Sequence, residues 1–133
     1  MADDLPSQWT HEPDRVLKFE PGSKVSDIDT DSSPGFKGDK ADAPRIQAER
    51  NAVFADLQEK LYANGRADDK RSILLVLQGM DTAGKGGIVN HVVAAGSPMG
   101  IDYHGFGVPT AEELEHHYLW RIRKALPAAG HIG

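Results

Sequence analysis

The sequence predicts an α/β fold: a parallel sheet with flanking helices, expected to be incomplete, preceded by an acidic arm and a leading helix. Three observations carry this. Ile73–Leu77 is a short, unbroken apolar run. Segments on both sides of it repeat apolar residues at helical spacing. A glycine-rich loop joins the run to the helix behind it. Alternating helix and strand signals of this kind point to right-handed crossovers in a parallel sheet.

Composition narrows the function classes. The chain has 133 residues, no cysteine and a formal charge of −5. Absence of cysteine excludes a disulfide framework, a thiolate metal site and a cysteine nucleophile. No apolar stretch approaches the ~20 residues of a membrane span, and the opening MADDLPSQWT lacks the apolar core of a signal peptide. The cytoplasm is the default expectation, with no membrane partner. Residues 1–70 hold 10 Lys and Arg against 15 Asp and Glu, whereas residues 71–133 hold 5 against 5. The excess acid therefore lies entirely in the first half. No basic stripe is present, which argues against a nucleic-acid partner.

Residues 1–43 show no sustained period and are rich in Asp, Ser, Pro, Gly and Lys. They read as an acidic, loosely ordered arm. Val16, Leu17, Phe19, Val25, Ile28 and Phe36 are the residues able to pin parts of it to a core.

Residues 44–133 form the second part, a leading helix followed by alternating strand and helix signals. Asp42 can cap a helix that takes Pro44 in its first turn. Ile46, Val53, Phe54, Leu57 and Leu61 share one helical face. Asn64-Gly65 supplies a stop, so the helix is expected over 44–63. The run around Ile73–Leu77 reads as a strand buried on both faces. A second helix is expected over 85–95, with Ile88, Val89, Val92 and Val93 on one face and Gly96 as its stop. Ile101–Phe106 reads as a second strand. Thr110 and Glu113 form a capping box, opening a helix with the stripe Leu114, Tyr118, Ile122 and Leu126, ended by Pro127.

The chemistry is concentrated in Gly79-Met80-Asp81-Thr82-Ala83-Gly84-Lys85, which has the GxxxxGK spacing of a Walker A loop. A tight loop between strand and helix turns successive backbone N–H groups inward as a nest for phosphate oxygens. Gly79, Met80, Thr82, Ala83, Gly84, Gly86 and Gly87 are the expected phosphate-binding positions. Lys85 folds back over the phosphates as a point charge. The string alone is weak, since an ordinary turn can carry it. The strand before it and the amphipathic helix after it are the context the motif requires. The usual hydroxyl after the lysine is replaced by Gly86. Asp81 is the carboxylate nearest in sequence. It can bind Mg²⁺ directly or through water, or bond its own backbone as a turn residue, and the residues alone leave both open.

The stretch LLVLQGMDTAGKGG, followed by PTAEELEHHYLWRIRKALP, resembles the type-2 polyphosphate kinases. GFKGDKADA and LQEKLYA resemble the same family's upstream region, so the likeness runs from about Asp27 to the last residue. It implies a P-loop NTPase-like fold. It also implies a transferase of nucleotide metabolism that moves a phosphoryl group, with Mg²⁺, between inorganic polyphosphate and a nucleoside mono- or diphosphate such as AMP or ADP. Lys85 would contact phosphates, and Asp81 matches the loop aspartate that serves the metal and the acceptor phosphate. Where the family often has Thr, this chain has Ile88, read as a packing choice.

Loose phosphoryl-transfer transition states need charge neutralised on several oxygens. The family supplies further groups downstream: an Asp-Arg pair after another strand, and arginines on a lid. Ile132 is expected to be the first apolar residue of that strand. The 133 residues are therefore expected to be the front part of a larger kinase, inactive alone. The alternatives are an ATP-dependent P-loop kinase of a small metabolite, or a non-catalytic phosphate-binding fragment. An unfinished sheet edge invites pairing, including a homo-oligomer. Arg121, Arg123 and Lys124 read as a solvated helix face. None of the six histidines is assigned to catalysis, and Tyr118 and Trp120 read as core.

Overall fold

A computed structural model describes residues 9–133. The first eight residues of the expected arm lie outside the described residues. The chain divides into two compact units, one ending at Ile46 and the other Gln47–Gly133.

The first unit contains a one-turn helix, α1 (Pro13–Val16), and a 3₁₀ turn at Val25–Asp27. Trp9 and Phe36 pair as an antiparallel bridge, with Thr10 N donating to Gly35 O at 2.8 Å. The two rings meet edge to face at 5.6 Å between centroids. Turn carboxylates do the remaining work: Asp39 Oδ1 accepts from the amides of Ala41 and Asp42. Of the residues expected to pin the arm, Leu17, Phe19, Val25 and Ile28 are exposed. Val16 and Phe36 are half-buried beside Trp9, and polar turns close the rest of the backbone.

Helix α2 (Ala43–Arg66) begins close to its expected start and runs through the expected stop. Gly65 lies inside it. A Cβ at Gly65 would collide with the backbone of Gly130, so this glycine serves a close approach and not a C-cap. The left-handed residue that follows the helix is Asp68, at φ 81°, with Ala67 and Asp69 both donating to Asn64 O.

The packing seam of α2 differs from its apolar stripe. Val53 and Leu57 are exposed, whereas Gln58 is 1% exposed. The seam runs Gln47, Asn51, Phe54, Gln58, Tyr62 and Gly65, which is also a helical face. Gln47 Nε2 and Asn51 Nδ2 donate to His91 O at 2.8 and 2.9 Å. Gln58 Oε1 accepts from Ser97 N at 2.9 Å. A Cβ at Gly100 would overlap the Gln58 amide. The chain therefore packs here through amides and glycines that admit close backbone approach.

Three segments pair in parallel through single residues, with Ile132 between Ile73 and Ile101. Ile73 N donates to His131 O, Gly133 N to Ile73 O, and Leu75 N to Gly133 O. On the other side, Ile132 N donates to Gly100 O and Asp102 N to Ile132 O. These are isolated pairings and not a regular ladder. Ile132 is buried at 6% exposure. Ile73, Leu74, Leu75 and Val76 are 44% to 72% exposed, so the expected burial of this strand on both faces is corrected. Burial of a parallel strand needs a helical layer on each face, and neither layer covers this run.

Helix α3 (Lys85–His91) is shorter than expected and is followed by a 3₁₀ turn at Val93–Ala95. β-Branched Val92 and Val93 are stiff at χ1 and favour leaving the helix. Ile88 is half-exposed. The expected capping box is present: Thr110 Oγ1 accepts from Glu113 N, and the Glu113 carboxylate accepts from Thr110 N. The helix it opens, α4 (Ala111–Leu114), is one turn long, and α5 (Leu119–Lys124) follows. One continuous helix was expected. Glu115 and His116 amides turn back to Glu112 and Glu113, and Leu119 N donates to His117 Nδ1. The histidine side chain thus takes an amide at the head of α5. Leu114, Tyr118 and Leu126 are exposed. No helix among the described residues is long and apolar enough to cross a membrane.

Candidate functional site

The glycine loop lies between the Ile73 segment and α3. Met80 O accepts from Ala83 N, closing a turn. Thr82 sits at φ 63° and Gly84 at φ 85°. The left-handed residue at the head of α3 suits glycine, which has no Cβ to clash there. Thr82 N donates to Asp81 Oδ1 at 3.0 Å. The amides of Thr82 and Ala83 are therefore engaged inside the loop.

The next four amides differ. Ile88 N is the first to find a partner behind it, Gly84 O. Among the described residues, the amides of Gly84, Lys85, Gly86 and Gly87 donate to no other backbone group, as expected of a helix's first four N–H groups. A Cβ at Gly84, Gly86 or Gly87 would meet nothing within 4 Å. The Cβ positions of these three glycines thus face open space.

Lys85 folds back over the loop. Its ammonium donates to Gly79 O at 2.7 Å and to Met80 O. An ammonium has three donors, so one remains for a ligand oxygen. Gly79 allows this fold: a Cβ there would come within 3.1 Å of Ala83 Cβ. The site thus combines one cation, four uncommitted amides and one carboxylate within residues 81–87.

Asp81 meets the requirement for a magnesium ligand in one respect. Its Oδ2 makes no hydrogen bond among the described residues, while Oδ1 takes Thr82 N. Among the described residues, no group of three His, Asp or Glu gathers as a metal cage. Mg²⁺ does not need one. It is usually held by one or two carboxylates, with substrate phosphates and water completing the octahedron.

Several charged and aromatic residues are placed differently from expectation. Arg121 is not a solvated cation. It donates to the Glu113 carboxylate at 3.3 Å and to Gly107 O at 2.9 Å, and its guanidinium lies 4.6 Å from the Phe106 ring centroid. Tyr118 is exposed and is not core. Trp120 is half-buried, with His116 stacked at 4.2 Å and the Lys124 ammonium 4.1 Å from the ring centroid. A cavity of about 280 Å³ is lined by Pro109, Glu113, Leu114, His116, Tyr118 and Arg121, and no loop residue contributes to it. His131 and Asp102 form a pair at 2.9 Å that sequence reasoning missed. They are 29 residues apart, and no local spacing signals the contact.

Comparison with known proteins follows the same residues. The polyphosphate kinase 2 family profile matches residues 37–133. An ADP-polyphosphate phosphotransferase of Rhodopseudomonas palustris is 43% identical over 89 residues, 67% of this chain and 28% of its own length. An AMP/ADP-polyphosphate phosphotransferase of Meiothermus ruber is 38% identical over 105 residues, 79% of this chain and 38% of its own length. The chain thus spans about a third of the length of these curated relatives. A crystal structure of polyphosphate kinase 2 from Arthrobacter aurescens TC1 aligns at a TM-score of 0.90 and 46% identity, over 94% of this chain and 45% of that one. The described chain shares that P-loop kinase-like fold. With the family profile covering most of its length and the glycine loop inside the matched region, the chain belongs to the polyphosphate kinase 2 family.

Proposed function

We propose that this chain carries the phosphate-gripping loop of a phosphotransferase that moves a phosphoryl group between inorganic polyphosphate and a nucleoside mono- or diphosphate. The single observation that carries the reading is Lys85 folded over the loop beside the uncommitted amides of Gly84–Gly87. Family membership and the relatives' names as ADP- or AMP-polyphosphate phosphotransferases support the substrate class. The Ile73, Ile132 and Ile101 pairings support a parallel sheet with the third segment between the first two.

In this reading, the amides and the free Lys85 donor bind oxygens of the polyphosphate end, leaving its terminal phosphorus open to in-line attack. The acceptor nucleotide's terminal phosphate oxygen forms the new P–O bond. The bond to the next phosphate breaks, and the shortened polyphosphate leaves as an anion. No side-chain nucleophile is used. Asp81 would hold magnesium, whose charge when bound neutralises oxygens that Lys85 alone cannot. Nucleotide substrates place the reaction in the cytoplasm, and the open edge of the Ile73 segment is where a second copy would pair.

The described residues offer one loop cation and one loop carboxylate, while Arg121 is already committed to Glu113 and Gly107. We therefore expect phosphate binding without turnover from the 133 residues by themselves. Titration calorimetry with tripolyphosphate tests the binding. Loss of one charge-assisted hydrogen bond in Lys85→Ala should weaken it about tenfold to a hundredfold; unchanged affinity would overturn the assignment. A transfer assay with polyphosphate as sole donor and AMP or ADP as acceptor tests the chemistry in a protein of the relatives' length. Transfer from ATP alone would favour a small-metabolite kinase instead.

A further inference from the structure

Helix α3 is poorly equipped to hold its own shape. It has seven residues, and isolated helices shorter than ~12–15 residues are marginal in water. Its sequence KGGIVNH places glycine at two positions of the first turn, and its N-cap is also glycine. Glycine is the poorest helix former after proline. Yet the four amides of the proposed phosphate site are aimed by this helix.

Its far end is tied down from outside. Gln47 and Asn51 are four apart on α2, so their side chains lie on one face. Both donate to a single acceptor, His91 O, at 2.8 and 2.9 Å. That carbonyl belongs to the last turn of α3, where helix carbonyls lack partners of their own, and its two lone pairs accommodate two donors. Further along α2, Gln58 Oε1 accepts from Ser97 N, six residues beyond His91. The Gln58 side chain is almost wholly buried, and its Nε2 has no partner among the described residues. An amide kept there for one bond to the chain leaving α3 fits a role in holding that chain.

We infer that Gln47 and Asn51 are positioning residues for the phosphate loop: by gripping the His91 carbonyl they fix the axis of α3, and so aim the Gly84–Gly87 amides and Lys85. The inference rests on the phosphate-binding reading of the loop. Neither side chain needs to touch the substrate. A bound phosphate selects chains whose α3 is formed and aimed, so apparent affinity falls by the fraction of chains that are competent. The two donors are redundant on one carbonyl, so their loss is strongly non-additive.

The test uses Gln47→Leu, Asn51→Leu and the double variant of the 133-residue chain. Tripolyphosphate affinity is read by calorimetry, and amide hydrogen exchange of Ile88–Val92 by NMR, with Ile132 and Gly133 as internal references. Each single variant keeps one donor and should bind within about twofold of the parent. The double variant should bind about fivefold more weakly, with faster exchange at Ile88–Val92 and unchanged exchange at Ile132 and Gly133. Faster exchange with unchanged affinity would make the grip merely structural and overturn the inference, as would unchanged exchange. Should the parent chain itself fail to bind tripolyphosphate, the functional reading falls, and exchange alone decides whether the grip orders α3. Should the double variant fail to fold, Asn51→Asp sets a carboxylate against the His91 carbonyl and is read in the same two ways.

Discussion

Gly65 in α2 and Gly130, two residues before Ile132, lie backbone against backbone, with no room for a side chain at Gly65. The contact links the long helix to the loop that delivers Ile132 between Ile73 and Ile101. Alanine is the better helix former by about 1 kcal/mol, yet overpacking against backbone costs about 1–3 kcal/mol. Gly65→Ala should therefore lower stability, read as a reduced denaturation midpoint. A higher midpoint would show that the approach is not close.

Gly86 presents the opposite case. It is helical, and a Cβ there meets nothing within 4 Å. Gly86→Ala should raise stability by up to about 1 kcal/mol while weakening tripolyphosphate binding, because a methyl is added on the turn that carries the uncommitted amides. Thermal melts and calorimetry on one variant should move in opposite senses. Tighter binding would remove Gly86 from the phosphate site.

Asp81 is proposed as the magnesium ligand. Asp81→Asn keeps an oxygen to accept from Thr82 N but removes the charge. Tripolyphosphate binding without magnesium should hold or improve slightly, since a like charge is gone. The enhancement produced by added magnesium should shrink. An unaltered magnesium titration would place the ion elsewhere.

Arg121 ties α5 back to α4 through Glu113, and to the segment before α4 through Gly107 and the Phe106 ring. Lysine keeps the charge but loses the planar fork and the stacking. Arg121→Lys should cost about 1 kcal/mol of stability, measured by urea denaturation. No loss would mean that the guanidinium contacts contribute nothing net.

Asp69 and Arg71 give the chain its clear pH signature. Side-chain hydrogen bonds from Arg71, then its donation through the backbone amide, hold the Asp69 carboxyl below the ordinary aspartate range, and the side-chain bonds to Asp69 raise the Arg71 guanidinium. A depressed carboxyl stabilises the fold above its ordinary pKa, and the contribution is lost as pH falls through the depressed value. An NMR pH titration should find Asp69 protonating later on acidification than an unperturbed aspartate. Arg71→Gln should return it toward the ordinary value, and coincident curves for parent and variant would refute the pairing.

The legible features were local ones. The capping box at Thr110 and Glu113 is a four-residue pattern and forms as read. The glycine loop was legible because its spacing dictates a turn into a helix head, and Lys85 does fold over it. The start of α2 was legible from Asp42 and Pro44, but only part of its inward face was. Of the apolar stripe, Ile46 is buried and Phe54 and Leu61 are half-buried, whereas Val53 and Leu57 are exposed and the seam adds Gln47, Asn51 and Gln58. Hydrophobic periodicity cannot register a face whose contacts are amides bonded to distant backbone.

By itself, then, the sequence determined the elements that close within about one or two turns of chain: the cap, the helix heads, and the glycine loop with its lysine. Their hydrogen bonds connect near neighbours, so residue order alone specifies them. Only the tertiary structure decided that Gly65 is a contact and not a stop. It also decided that Arg121 is committed to Glu113, that α4 and α5 are separate, and that Ile132 enters between Ile73 and Ile101. Two of these depend on partners far along the chain, up to 65 residues away in the Gly65–Gly130 contact. Such pairings are set by which backbones can approach closely enough to bond, and no local pattern encodes that distance.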